Sequence, residues 1–480
     1  MARFVATEFI SKQKSMLIAP AGYGKTYAIA ECLLYTSGKS LVLTHTNAGV
    51  SALKEKFKAR NIPPDKYQVE TISSYVQKYV HSFVSPATIP SQDDKRAYFS
   101  YIINAAITIL QSPWIAKIIK NTYRDLFVDE YQDCTLSYHR VIMILSCYMR
   151  THLMGDPLQG IFGFSAKDPL VDMRDVGQMG DFARNSYELV IPWRWNNNGR
   201  DDLGIQLGLL RGQLIRQQNV NIDYAAYPAI IVHRIITDVL YVELPRIIND
   251  ILGRYPNILF IHPISAKTDP RVDFVRKFNN RIYMLESLDD KDFYSLSRAF
   301  DAMTPDTLLS TLSVICGKLF GVTHTKEWIT DERVKNRQGE NKDLSLRLDE
   351  KVRFTTENFS RRNIASILEF FRTELKMPVA RADLLNSLIT SLKEADENKC
   401  SVYEGMCNAR NRLRRYGRKI HGHCIGTTLL TKGLECDCVV LLDIDAFTDY
   451  RHLYVALTRG SRDIIVIKLV PPEERQGNLF

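Results

Sequence analysis

Short apolar runs punctuate the chain near residues 16–19, 40–44, 125–129, 151–154 and 187–191. They are apolar without alternation, as in MLIA, LVL and LFV, the pattern of strands buried on both faces of a parallel sheet. A second set lies near 257–261, 281–285, 421–426, 438–443 and 463–468. Between the runs the apolar spacing turns helical, so the pattern predicts doubly wound α/β layers at both ends of the chain. Two stretches break the alternation. Residues 72–120 and 291–415 are helical in period, the second richer in charge, and read as helical insertions into two sheet domains. The break between those domains is expected around 175–190, after DVGQMGDFARN.

Chemistry concentrates at the ends of two runs. In LFVDEYQD, residues 126–133, a buried strand would deliver Asp129 and Glu130 side by side at its C-terminal edge, where open α/β sheets bind ligands. Such a pair suits Mg²⁺ on a nucleotide, with the second carboxylate orienting a water. The plain alternative is a pair of capping carboxylates at a strand-to-helix turn. In SMLIAPAGYGKT, residues 15–26, a strand leads into a tight turn with Gly22 and Gly24, then Lys25, Thr26 and a helical stretch. Backbone N–H groups of such a turn, backed by a helix N-terminus, cradle phosphates. Lys25 would reach the β/γ-phosphates and the Thr26 hydroxyl would ligate Mg²⁺. The strict pattern has Gly where this chain has Ala19, and a turn that binds nothing is the competing reading. Together the two elements predict a nucleoside-triphosphatase.

Bulk properties narrow the setting. A chain of 480 residues allows several domains, and 45% hydrophobic with 24% charged residues is ordinary for a globular protein. The net charge of +9 is compatible with a polyanionic partner without requiring one. The nine cysteines form no C-x-x-C pair, which argues against a zinc ribbon and for reduced thiols. His421, His423 and Cys424 lie near Cys436 and Cys438, but the spacing matches no standard finger, and strand residues are the better reading. The N-terminus lacks an apolar leader and no stretch reaches membrane-spanning length, so a cytoplasmic protein without a membrane partner is expected.

A series of segments in order resembles the UvrD/Rep-like branch of superfamily 1A DNA helicases. APAGYGKT (19–26) is similar to motif I, LVLTHTNAGVSALKEKF (41–57) to motif Ia and VDEYQD to motif II. MGDPLQGIFGF (154–164) resembles motif III, ELVIPWRW motif IV, GTTLLTKGLECDCVVL (426–441) motif V and LYVALTRG (453–460) motif VI. The resemblance implies two RecA-like P-loop NTPase domains, parallel sheets flanked by helices, each with a short helical insertion. The expected division is 1–71 with 121–185 for domain 1A and 72–120 for a 1B-like insertion. Residues 186–290 with 416–480 would form domain 2A, and 291–415 a 2B-like insertion.

The resemblance also implies roles and cofactors, ATP and Mg²⁺. Asp129 and Thr26 would hold the metal, Glu130 would activate the attacking water, and Gln159 would sense the γ-phosphate. Arg194 and Arg459 would approach as arginine fingers from the second domain. Ala21, Gly22, Tyr23, Gly24, Lys25 and Tyr27 would surround the nucleotide, with Trp193 stacking on the base and Glu435 contacting the ribose. Gln132 and Asp133 would couple the ATP cleft to a strand track. On that track Thr44, His45, Asn47, Phe162, Phe164 and Thr427 would contact single-stranded or tailed DNA. Arg412, Arg414, Arg415, Arg418 and Lys419 read either as phosphate contacts or as a solvated helix face. The chain departs from the family at Pro20, where Gly is usual, at Leu429, where His is usual, and in lacking the upstream Gln that reads adenine. The expected function is an ATP-dependent 3′→5′ helicase or translocase. The short insertions, and likeness to helicase subunits of Gabija-type anti-phage systems, supply the alternative of a sensing ATPase that regulates a nuclease or other effector subunit.

Overall fold

Seven short strands pair into one sheet: β1 (Ala2–Arg3), β2 (Lys14–Ile18), β3 (Ser40–Thr44), β4 (Tyr67–Thr71), β5 (Asp125–Val128), β6 (Arg150–Gly155) and β7 (Ser186–Glu188). Their order is β1-β7-β2-β6-β5-β3-β4, and every pairing is parallel. Consecutive residues point to opposite faces, and both faces are covered. Met16, Ile18, Leu41, Leu43, Leu126, Val128 and Leu153 enter one apolar core, while Leu17, Val42, Phe127 and Met154 enter the other. This double burial is why the strands read as unbroken apolar runs. Each such side chain contributes roughly 1.5–3 kcal/mol.

The computed structural model describes residues 2–90, 95–163, 166–218, 220–223, 225–263, 269–278, 281–285, 291–379, 381–416 and 422–472. Two compact units divide the chain. The first comprises Met1–Ile231, Arg414–Gly417 and Phe447–Arg462; the second comprises Val232–Leu413, Arg418–Ala446 and Asp463–Phe480. The first unit therefore runs past residue 186, where the sequence pattern suggests the start of a second domain. The reason is pairing: β7 hydrogen-bonds between β1 and β2 and cannot leave their sheet. The helices of the first insertion, Ile72–Phe83, Lys95–Leu110 and Pro113–Thr122, bury Tyr75, Val76, Ile102, Ala106 and Ile119 in the same core as Leu126 and Val128. They form a layer on this sheet.

The other sheet comprises β8 (Ile231–Ile236), β9 (Ile258–Ile261), β10 (Tyr283–Met284), β11 (His423–Gly426), β12 (Cys436–Leu441) and β13 (Gly460–Val470), ordered β10-β11-β9-β12-β13-β8. β9 lies parallel to both β11 and β12, and β10 is parallel to β11. Ile258, Phe260, Ile425 and Val440 anchor the sheet core. The helices between residues 291 and 416 have a separate core, built from residues such as Leu312, Phe320, Leu368 and Leu388. Among the described residues no single helix is long and apolar enough to cross a membrane.

At the N-terminal edge of the first sheet, polar groups are buried together. Ser15, Asp125 and His152 are fully buried. The Ser15 hydroxyl lies 2.7 Å from His152 Nδ1, and Arg150 Nε lies 2.7 Å from Asp125 Oδ1. His152 Nε2 is 3.6 Å from the same carboxylate oxygen. Burial pushes the His152 pKa below its ordinary value, with Asp125 opposing. The unfolded chain therefore binds this proton more readily. Its contribution to stability is complete above the unfolded value of about 6.5 and declines as pH falls through the lowered folded value. We expect the melting temperature to drop between pH 7.5 and 5.5, and less steeply in His152→Gln; thermal melts giving equal slopes for both proteins would contradict this.

Candidate active site

The turn after β2 is shaped by two glycines. Gly22 and Gly24 adopt φ of +77° and +90°, left-handed conformations that glycine takes without steric cost. A Cβ on Gly22 would also lie 2.9 Å from the Cβ of Arg194 and from the Trp195 ring. The Arg194 N–H donates to the Gly22 carbonyl at 2.9 Å, and the Ala21 N–H donates to the Tyr454 hydroxyl at 3.2 Å. Lys25 then opens an 11-residue helix, Lys25–Tyr35, whose first N–H groups have no partner within the helix. Helix terminus and turn together favour an anion.

β5 supplies the opposing charge. Asp129 is buried, its N–H bonded to the Leu43 carbonyl at 2.8 Å. Glu130 follows with φ of +55°, a left-handed conformation costing a non-glycine residue about 1 kcal/mol. Both carboxylates reach Lys25 Nζ, Asp129 Oδ1 at 2.7 Å and Glu130 Oε1 at 2.5 Å. Burial works against the ammonium, but the two carboxylates outweigh it and hold the Lys25 pKa above the ordinary lysine value. The Asp129 carboxyl is pushed up, chiefly by burial and also by Glu130, against the pull of Lys25. The oxygen donors of Asp129 and the half-buried Thr26 suit a hard divalent cation.

A chain of hydrogen bonds leads onward to β6. The Gln132 amide N–H donates to Glu130, and its Oε1 accepts the Asp156 N–H at 3.0 Å. Gly155 leaves room for that side chain, since a Cβ there would collide with Gln132 Oε1. Gln159 Nε2 donates to Asp156 Oδ2 at 3.2 Å. Lys25, Asp129, Glu130, Gln132 and Gln159 are thus joined, directly or through Asp156. Beside the turn lies a cavity of about 170 Å³ lined by Tyr23, Gly24, Tyr27, Glu31, Glu188 and Trp193, among others.

Other expected residues sit differently. Arg194 and Arg459 both belong to the first unit, together with the phosphate loop, and do not come from the second. Arg194 Nη1 donates to the Thr458 carbonyl at 2.5 Å, and Arg459 Nε to the Val455 carbonyl at 2.8 Å, satisfying carbonyls at the end of the Tyr450–Leu457 helix. Glu435, exposed, and Thr427, buried and capping the Thr428–Thr431 turn, belong to the second unit. On the first unit Thr44 is buried, Asn47 exposed and Phe162 half-buried. His45 Nε2 lies 3.4 Å from Cys134 Sγ. Phe164, Arg418, Lys419 and His421 lie outside the described residues, as do the side chains of Arg412, Arg414 and Arg415. His423 Nε2 is 2.9 Å from the Tyr255 carbonyl, and Cys424, Cys436 and Cys438 are buried strand residues. Among the described residues no cluster of three His, Cys, Asp or Glu is arranged for a metal.

Two participants escaped the motif reading, Arg211 and Tyr454. Arg211 had a signal: it shares a helix face with Leu203, Leu207, Leu210 and Leu214, and a charge on a buried stripe demands a partner. That partner is Asp156, 3.1 Å away.

Residues 58–171, which include β5, β6 and the hydrogen-bond chain between them, match the UvrD/REP helicase N-terminal domain. Over this stretch the chain is similar to the N-terminal domain of that helicase family. The chain is 31% identical over 108 residues to an ATP-dependent helicase/nuclease subunit of Lactococcus lactis subsp. cremoris (strain SK11), and equally to exonuclease/helicase subunit RexA of strain MG1363. It is 34% identical over 109 residues to an ATP-dependent helicase/nuclease subunit of Streptococcus equi subsp. zooepidemicus (strain MGCS10565). Each match covers 22% of this chain and 9% of the relative's length.

The geometry at Gly22 gives a direct check. Gly22→Ala combines a strained φ with a crowded Cβ, and urea unfolding should show a loss of roughly 1–3 kcal/mol. Unchanged stability would mean that the turn is less constrained than its contacts indicate.

Proposed function

We propose that this chain is an ATP-driven motor that moves 3′→5′ on single-stranded DNA and displaces a complementary strand. The observation that carries the reading is the Lys25 ammonium held between Asp129 and Glu130 at the foot of a glycine turn. An ammonium so placed can exchange its carboxylate partners for the phosphates of an incoming nucleotide. Ala21, Gly22, Tyr23 and Gly24 would face those phosphates, and Tyr27 and Trp193 would border the base in the adjoining cavity. Asp129 and Thr26 would hold Mg²⁺, whose chemistry when bound is to neutralise phosphate charge. Glu130, released from Lys25, would accept the proton of the attacking water. Gln159 would orient that water or read the γ-phosphate, and Arg194 and Arg459 would turn from their carbonyl partners to meet developing charge. Glu435 would contact the ribose from a 2A-like domain. Thr44, His45, Asn47, Phe162, Phe164 and Thr427 would line the DNA track.

A second reading keeps the ATPase and assigns the chain to a nuclease complex, including one of anti-phage defence, in a regulatory role. It is supported by the relatives' names as helicase/nuclease subunits. It is also supported by the packing of the first insertion onto the sheet, which leaves it without a core of its own.

Steady-state ATP hydrolysis with and without single-stranded DNA tests the motor, which predicts strong stimulation; no stimulation would sink it. Strand displacement on a 3′-tailed duplex separates the readings, since a regulatory ATPase would hydrolyse ATP without displacing a strand. Glu130→Gln should lower kcat by about 10²-fold or more while ATP still binds. Lys25→Ala should weaken binding itself. Normal turnover in Glu130→Gln would remove Glu130 as the base.

A further inference from the structure

Asp156 is the point on which several parts of the site hang. Its side chain is fully buried, and Oδ1 accepts the Leu158 N–H at 3.3 Å while Oδ2 accepts Gln159 Nε2 at 3.2 Å. Its own N–H reaches Gln132 at 3.0 Å, and so connects to Glu130. The Tyr454 hydroxyl, which receives the Ala21 N–H of the phosphate loop, lies close enough to Asp156 to feel its charge. A buried carboxylate with this many duties needs a fixed position and a counter-charge. Both come from Arg211, itself more than nine-tenths buried, whose Nη2 lies 3.1 Å from Asp156 Oδ1 and whose Nη1 lies 3.5 Å from Glu188 Oε1. The Arg211 Nε is buried with no hydrogen-bond partner. Two carboxylates thus fix the guanidinium through its Nη groups, and a fully buried tyrosine lies beside it.

We infer that Arg211 is a positioning residue for hydrolysis. Through Asp156 it sets where Gln159 sits and, through Tyr454, where the Ala21 end of the phosphate loop sits. The inference rests on the proposed ATPase. Arg211 touches no reacting atom. Its effect is to keep the sensor turn and the phosphate loop in register, so that a nucleotide met by one is met by the other. Its loss should therefore appear in the rate of the chemical step more than in nucleotide affinity. Misplacement of a catalytic group by an ångström is enough for large rate losses.

The test compares Arg211→Met, Arg211→Lys and Tyr454→Phe with the wild-type chain in DNA-stimulated ATP hydrolysis, binding of a non-hydrolysable ATP analogue, and amide hydrogen exchange of residues 154–160. Arg211→Met should lower kcat at least ~10-fold with KM within about threefold, and Arg211→Lys should recover a large part of the loss. Exchange in 154–160 should quicken in Arg211→Met while that of 40–44 stays unchanged. A kcat within twofold of wild type, or a loss confined to KM, would overturn the inference. So would a lysine variant no better than methionine. If the methionine variant fails to fold, Tyr454→Phe and Arg211→Lys decide: wild-type kcat in both overturns the inference, and lowered kcat at retained affinity supports it. A wild-type chain without ATPase would defeat the proposed function. The exchange comparison would still decide whether Arg211 orders the turn.

Discussion

The site depends on one electrostatic constraint: the Lys25 ammonium is set between Asp129 and Glu130, at 2.7 and 2.5 Å. The three groups come from two strands that are not neighbours, β2 and β5, with β6 between them. Holding them within hydrogen-bond distance requires that the strand ends stay level. The register supplies this, aligning Ile18 with Gly155 and Val128 with Leu153 across the shared strand β6. Such alignment is enforced by burial, because a slip of one residue would turn every apolar side chain to the wrong face. The hydrophobic cores above and below the sheet are therefore what place the charges at its edge.

From that edge, coupling runs through short polar side chains. Gln132 bridges Glu130 to Asp156, Asp156 gathers Gln159 and Arg211, and Tyr454, buried nearby, accepts the Ala21 N–H of the phosphate loop. Each bond alone contributes about 1 kcal/mol net. In a buried setting the larger number is the cost of leaving one unmade, so the network favours moving as a unit over breaking at a single link. That is the property a nucleotide-driven device needs.

Much of this was legible in the sequence, for physical reasons that can be named. The central strands announced themselves because burial on both faces removes polar residues from them, and the turn at Gly22 and Gly24 because only glycine takes that backbone cheaply. Edge strands β1, β4 and β8 were missed. β4, YQVET, has only Val69 and Thr71 buried and so carries no apolar run. The division falls at Ile231 and not near 175–190, and a three-residue strand such as β7 is too short to reveal by pattern which sheet it joins. Arg194 and Arg459 were expected from the second domain, but motif order says nothing about which carbonyl a guanidinium will meet. Arg211 was visible as an anomaly on an apolar helix face, but its partner Asp156 is 55 positions away in sequence, and only the fold brings them together.

The same sheet also shows why residue types alone do not make a site. Its N-terminal edge holds Ser15, His152 and Asp125 in a sequence of contacts that, on paper, suits nucleophilic catalysis. Yet all three are fully buried, His152 is flanked by the rings of Phe9 and Phe127 at 5.1 and 4.9 Å, and Asp125 is taken by Arg150. No substrate carbonyl can reach the serine, and burial disfavours the imidazolium that proton transfer would create. At the C-terminal edge the strands end in a glycine turn and the start of a helix, and charge there meets the Lys25 ammonium. One edge stores polar groups for stability, and the other presents them for chemistry. The direction of the strands decides which is which.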